Sequence, residues 1–244
     1  MLYKTKKSRS AIPGYTLIPE GDHYKVRKIS LTGERVKTDP AFKLTRLNNE
    51  AFKKAASLGS TLRFYLIRGT GIKNKTAPLT AALIKALTAN NAPMHERSFT
   101  AADFTTMDNF NLNEEAPWND YANLNIDTLY TPIYKRVTVF LPGFQPSQAF
   151  KAPEGITHAR LITRVLFINL EEELRSSHEE KTTILPLKDV KVRAQTIVAK
   201  AEEKDVGIWV VAMSIEWYLP AKKNGQLTVS KTRGPLIIVK MGSV

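Results

Sequence analysis

Residues 207–220 (GIWVVAMSIEWYLP) constrain the fold more than any other stretch. Trp209, Val211, Met213, Ile215 and Trp217 recur at a period of two, so an extended strand places all five on one face. The opposite face carries Val210, Ala212, Ser214, Glu216 and Tyr218. A base-stacking platform needs cations beside its exposed aromatics, and this strand has none. The tryptophans are therefore expected in a core.

The rest of the C-terminal part has the same character. Val137–Leu141, Ala159–Leu170, Thr183–Leu187, Leu227–Ser230 and Leu236–Met241 are rich in Val, Ile, Leu and aromatics. Asn224-Gly225 is a two-residue hairpin signal between two of these runs. Residues 190–204 fit either a helix or a strand plus turn. Glu171–Glu173, Glu179 and Glu180 read as a solvated loop tip. The spacing predicts an antiparallel, immunoglobulin-like β-sandwich over 96–244.

The N-terminal part follows other rules. Tyr15–Ile18 and Tyr24–Ile29 flank Gly21-Asp22 and read as a β-hairpin, which is marginal on its own. Asp39 followed by Pro40 is a helix start, with the carboxylate accepting backbone N–H groups and Pro at the first helical position. Leu44, Leu47, Ala51, Ala55, Leu58, Leu62 and Tyr65 then recur at steps of three and four, predicting one buried stripe on a helix from about 40 to 68. Gly59 weakens that helix by about 1 kcal/mol of propensity. A second helix is expected from Thr76 to Ala89, completing a helical hairpin. The expected class is α+β: a basic tail and hairpin arm over 1–30, a helical region over 31–95, and the sandwich domain over 96–244.

Charge divides the chain. Residues 1–75 hold 17 Lys and Arg against 5 Asp and Glu, an excess of 12 out of the net +13 for all 244 residues. Such segregation points to a face or arm for a polyanion or an acidic partner. The candidate residues are Lys4, Lys6, Lys7, Arg9, Lys25, Arg27, Lys28, Arg35, Lys37, Lys43, Arg46, Lys53 and Lys54. Asp103, Asp108, Glu114, Glu115, Asp120 and Asp127, set among aromatics and asparagines, are the candidate acidic partner surface.

The chain contains no cysteine, which excludes disulfides, thiolate metal sites and thiol catalysis. His23, His95, His158 and His178 lack metal-ligand spacing, so no metal is expected. Gly69-Thr70-Gly71 is not followed by the residues of a nucleotide loop, and no cofactor or small-molecule substrate is evident. No apolar stretch reaches the roughly 20 residues of a membrane span. With no apolar leader core in residues 1–30, the expected location is cytoplasmic.

Three blocks carry a resemblance. Asp39, Pro40, Ala41, Phe42, Thr45, Arg46, Asn48 and Phe52 form the first, Ala152, Pro153, Gly155, Thr157 and His158 the second, and Lys223, Asn224 and Gly225 the third. Together they resemble an uncharacterised protein family of Bacteroidetes bacteria. The resemblance implies an N-terminal hairpin, helices and a β-sandwich, and it transfers no catalytic residue. The Lys-rich start of this chain departs from that family's short Lys/Gly-rich hairpin.

These features favour a non-catalytic structural protein that self-assembles through its basic arm and helix into a homo-oligomeric ring, filament or virion-like particle. A protein binding nucleic acid without sequence preference is the alternative. A glycan-active enzyme using the 103–127 carboxylates is the third reading.

Overall fold

A computed structural model describes residues 15–21, 23–28, 33–67, 70, 72, 76–89, 92–93, 95–170, 173–188, 190–202, 207–221 and 226–244. The tail cations Lys4, Lys6, Lys7 and Arg9 and the Asn224-Gly225 turn lie outside them. The chain divides into two units, Met1–Glu50 and Ala51–Val244, and the division falls inside a helix. The domain boundaries expected near 30 and 95 do not coincide with it.

In the first unit, β1 (Tyr15–Glu20) and β2 (His23–Lys28) pair antiparallel, with Tyr15 opposite Lys28 and Glu20 opposite His23. Gly21 turns the chain at φ +61°, where a side chain is strained. A short helix, α1 (Gly33–Thr38), follows, which the periodicity did not anticipate. Asp39 is then the expected cap: its side chain accepts the Ala41 N–H at 2.9 Å and opens a 3-10 turn, Pro40–Phe42, leading into α2 (Lys43–Ile67). The corner is tied from both sides. Arg35 pairs with Asp39 at 3.1 Å, and Arg46 donates to the carbonyls of Val36 and Asp39 at 2.8 and 2.9 Å.

The expected stripe on α2 is buried over only half its length. Ala55, Leu58, Leu62, Leu66 and Ile67 are buried, whereas Leu44 is 66% exposed and no residue before Ala55 is buried. Gly59 does not interrupt the helix. It packs against Thr80, Leu79 and Leu83 of α3 (Thr76–Ala89), whose bounds are those expected.

The second unit continues through two 3-10 turns (99–101 and 105–107), β3 (Phe110–Asn111), α4 (Trp118–Tyr121), β4 (Asp127–Thr131), β5 (Arg136–Leu141), α5 (Pro146–Ala149) and β6 (His158–Asn169). It ends with β7 (Glu173–Lys181), β8 (Leu185–Pro186), β9 (Gln195–Lys200), β10 (Gly207–Pro220), β11 (Leu227–Val229) and β12 (Leu236–Ser243). One sheet runs β3-β12-β10-β6-β7, with β11 also on β10 and β8 also on β6; a second runs β4-β5-β9. All described ladders are antiparallel, as expected for an α+β chain.

Two segments differ from expectation or resolve it. Residues 190–204 contain the strand β9. Glu173, Glu179 and Glu180 do not form a loop tip, because Glu173–Lys181 is β7, an edge strand that among the described residues pairs with β6; Glu171 and Glu172 lie outside those residues. The charged sequence of β7 hides it from a hydrophobic-pattern search, and charge is how natural sheets protect an open edge.

The period-two pattern of β10 sorts the core. Trp209, Val211, Met213, Ile215 and Trp217 join Val137, Val139, Ile197 and Ala199 of the smaller sheet in one cluster. Ile208, Val210 and Ala212 join Ala55, Leu58, Leu62, Leu66, Leu79, Leu83 and Leu87 of α2 and α3 in another. The long sheet therefore separates two cores, one shared with helices and one with the small sheet. Burying a Leu side chain such as Leu83 contributes roughly 1.5–3 kcal/mol, so the helices are bound to the sheet by many such contacts.

Candidate interaction surfaces

The basic residues fall into two kinds. Lys25 and Arg27 are exposed and share one face of the hairpin with Ile18, which lies opposite Lys25. Lys28 occupies the alternate register, opposite Tyr15. Lys37, Lys43 and Lys53 are exposed on the helices. Arg35, Arg46 and Lys54 have internal partners. The Arg35 guanidinium lies 5.8 Å from the Phe42 ring centre as well as on Asp39, Arg46 caps carbonyls, and Lys54 donates to the Arg97 carbonyl at 3.1 Å. The Asp39–Phe52 block that carries the family resemblance thus includes the parts of a helix-initiating corner.

The six carboxylates are not brought together. Asp103 accepts the Thr105 N–H at 3.0 Å, and that bond and the Thr105 hydroxyl hold its carboxyl below the usual range. Asp108 is pushed up by burial, against the opposing charge of Lys240. The neighbours of these two, Phe104 and Met107, enter the helix-side core. Asp120 and Asp127 are exposed on α4 and β4, whose Trp118 and Tyr130 pack in the other core. Glu115 pairs with Arg233 at 3.3 Å, and Glu114, beside it, is exposed. The chain passes β3, at the edge of the long sheet, between Asp108 and Asp120, so closeness in sequence becomes separation across a sheet.

The Ala152–His158 block is a turn entering β6. Gly155 sits at φ +78°, the Ile156 N–H reaches the Pro153 carbonyl at 3.2 Å, and Thr157 Oγ1 and His158 Nδ1 lie 2.8 Å apart. His95 lies 3.3 Å from Glu96 and is exposed. Among the described residues no three His, Asp or Glu side chains are placed to hold a metal ion, and no helix is long and apolar enough to cross a membrane.

A cleft of about 220 Å³ lies on the helix-side face of the long sheet, lined by Arg164, Ser214, Glu216, Lys231 and Arg233 among others. Much of its charge is satisfied internally. Arg164 pairs with Glu179 and Arg233 with Glu115. Arg160 lies 3.6 Å from Glu216 and over the Tyr218 ring, and the Tyr218 hydroxyl donates to Glu216 at 3.0 Å. Burial and the Glu216 carboxylate raise the Tyr218 pKa.

Sequence reasoning missed a different feature, the outer face of the small sheet. Residues in register share a face, so Leu129, Thr138 and Val198 form one row across β4, β5 and β9. Asp127, Phe140 and Thr196 form the row on one side of it, and Thr131, Arg136 and Lys200 the row on the other. Leu129 is 55% exposed, Val198 48% and Phe140 42%. A solvated sheet face normally alternates to polar residues, and here exposed Leu129, Val198 and Phe140 surround the covered Thr138. The alternation of β5 was the available signal: Val137 and Val139 take the core, which leaves Phe140 outward.

No family model and no curated protein matches the chain.

Proposed function

We propose that this chain is a non-catalytic structural protein that self-assembles through its basic N-terminal arm and helix, in the cytoplasm, into a ring, filament or virion-like particle. The observation that carries the reading is the exposure of the arm. Tyr24 is 57% and Val26 55% exposed on a two-stranded hairpin, and α1 buries no side chain. A two-stranded hairpin is marginal on its own in water, and one that exposes Tyr24 and Val26 is suited to packing on a neighbour. Its cations Lys25 and Arg27, with Lys37 and Lys43, suit an acidic surface, and Asp103 with Asp108 is the acidic group of the next copy that we assign to them. A head-to-tail contact of this kind generates rings or filaments. We read the body as an immunoglobulin-like sandwich of two sheets with a helical layer added.

The nucleic-acid reading uses the same cations and is favoured by the excess of 12 positive charges in residues 1–75. Light scattering across a salt series, with and without nuclease, separates the two. Nuclease-resistant particles that are lost on deleting residues 1–30 support assembly. A monomer that shifts only with added nucleic acid, with a log–log salt slope of about −0.9 per phosphate contacted, supports the alternative. Particles that persist without residues 1–30 refute the arm mechanism.

A further inference from the structure

We infer that the outer face of the β4-β5-β9 sheet is a two-fold dimer interface that receives the same face of a second copy. The argument rests on the pattern of the three rows. The central row is apolar at both sides, with Leu129 and Val198 exposed around a covered Thr138. One flanking row carries Asp127 and Phe140; the other carries Arg136 and Lys200. The face therefore has an acidic and aromatic end, an apolar middle and a basic end. Flanking rows lie about 13 Å apart, at 3.3–3.4 Å per residue.

That order is self-complementary in one arrangement. A two-fold axis along the central row, perpendicular to the strands, reverses the ends of the second copy. It lays Leu129 on Leu129 and Val198 on Val198. Phe140 then faces Arg136, the geometry of a cation–π contact, and Asp127 faces Thr131 beside Arg136. An axis parallel to the strands would instead set Arg136 against Arg136, a like-charge pair. Arg136 already lies 5.6 Å from the Tyr134 ring, which is 59% exposed, so the aromatic surface continues past the basic row. Two such faces bury on the order of 1,000 Å², at the threshold for a specific interface. We take the dimer to be concentration dependent in the micromolar range that sedimentation resolves, since area by itself does not set affinity.

This interface uses other residues than the arm, and salt weakens the arm's charge contacts selectively. At 0.5 M NaCl charge contacts of the arm are screened over a few ångströms, whereas apolar contact persists. Sedimentation equilibrium of the full chain at 1–100 µM in that salt should show monomer and dimer. Leu129→Lys combined with Val198→Lys should weaken the dimer at least tenfold, with far-UV spectrum and melting midpoint retained because both sites are exposed. Because the chain has no cysteine, a single Leu129→Cys variant gives an independent measurement: a short bismaleimide should link it into dimers far faster than Glu154→Cys, placed in an exposed turn. A wild-type chain that stays monomeric at 100 µM overturns the inference, as does a double variant that dimerises like wild type. Equal linking of the two cysteine variants also overturns it. Failure of the arm mechanism leaves all of these readouts unchanged.

Discussion

Leu83→Ala tests whether the helices and the sheets are one folding unit. Leu83 is fully buried on α3, in the core that α2 and α3 share with β6, β10 and β12. Removing the methine and two methyl carbons there costs the lost transfer energy plus a cavity, together about 3 kcal/mol. For a unit of this size each kcal/mol lowers the melting midpoint by roughly 2–4 °C, so the expected drop is roughly 6–12 °C. The chain supplies two separate probes. Helical ellipticity at 222 nm reports α2 and α3. Tryptophan fluorescence reports the other core, because Trp118, Trp209 and Trp217 all lie there and none lies in the mutated layer. If the long sheet couples its two faces, both midpoints fall together. A drop in ellipticity with an unmoved fluorescence midpoint would show that the helices unfold on their own, and would refute the single-folding-unit reading.

Two glycine substitutions should have opposite signs. At Gly59 an added Cβ meets Thr80 Oγ1 at 3.5 Å and Leu83 Cδ1 at 3.6 Å, ordinary contact, so Gly59→Ala should stabilise by up to about 1 kcal/mol of helix propensity in chemical denaturation. At Gly234 an added Cβ falls within bonding range of the Ile215 carbonyl oxygen, so Gly234→Ala must move a strand and should cost about 1–3 kcal/mol or more. Carboxyl NMR titration should place Asp39 below the ordinary range, because the Ala41 N–H and then Arg35 favour its charged form, and Asp108 above it, because burial disfavours charge. The signs follow: the Asp39 contribution is present above the ordinary carboxylate pKa and lost as pH falls through its lowered value, while the Asp108 contribution is present in acid and lost as pH rises through its raised value.

Local chemistry was legible wherever a few neighbouring residues decide the outcome. Asp39-Pro40 starts a helix because a carboxylate and a fixed φ act within three residues, and α3 begins and ends where its own periodicity does. The strand register of β10 was readable because its side chains must alternate. β7 was not, since an edge strand answers to one partner only and keeps its charges. The buried stripe of α2 was half right for a related reason: periodicity marks which residues share a face, and the length over which that face meets the sheet is a matter of packing. Leu44, a member of the expected stripe that is 66% exposed, is the cost of treating the two as one.

The candidate surfaces divide in the same way. The excess of cations in residues 1–75 is a property of the sequence alone, since charge adds without regard to fold. Which cations remain outward was decided in three dimensions: Arg35 and Arg46 are drawn into a helix corner, while Lys25 and Arg27 stay on an open hairpin face. The carboxylates from Asp103 to Asp127 are one cluster in sequence and are dispersed in space: Phe104 and Met107, the neighbours of Asp103 and Asp108, enter the helix-side core, while Trp118 and Tyr130, near Asp120 and Asp127, pack in the other. Leu129, Phe140 and Val198 show the converse. They lie on three strands far apart in the chain, and only the antiparallel register that hydrogen bonding imposes sets them side by side.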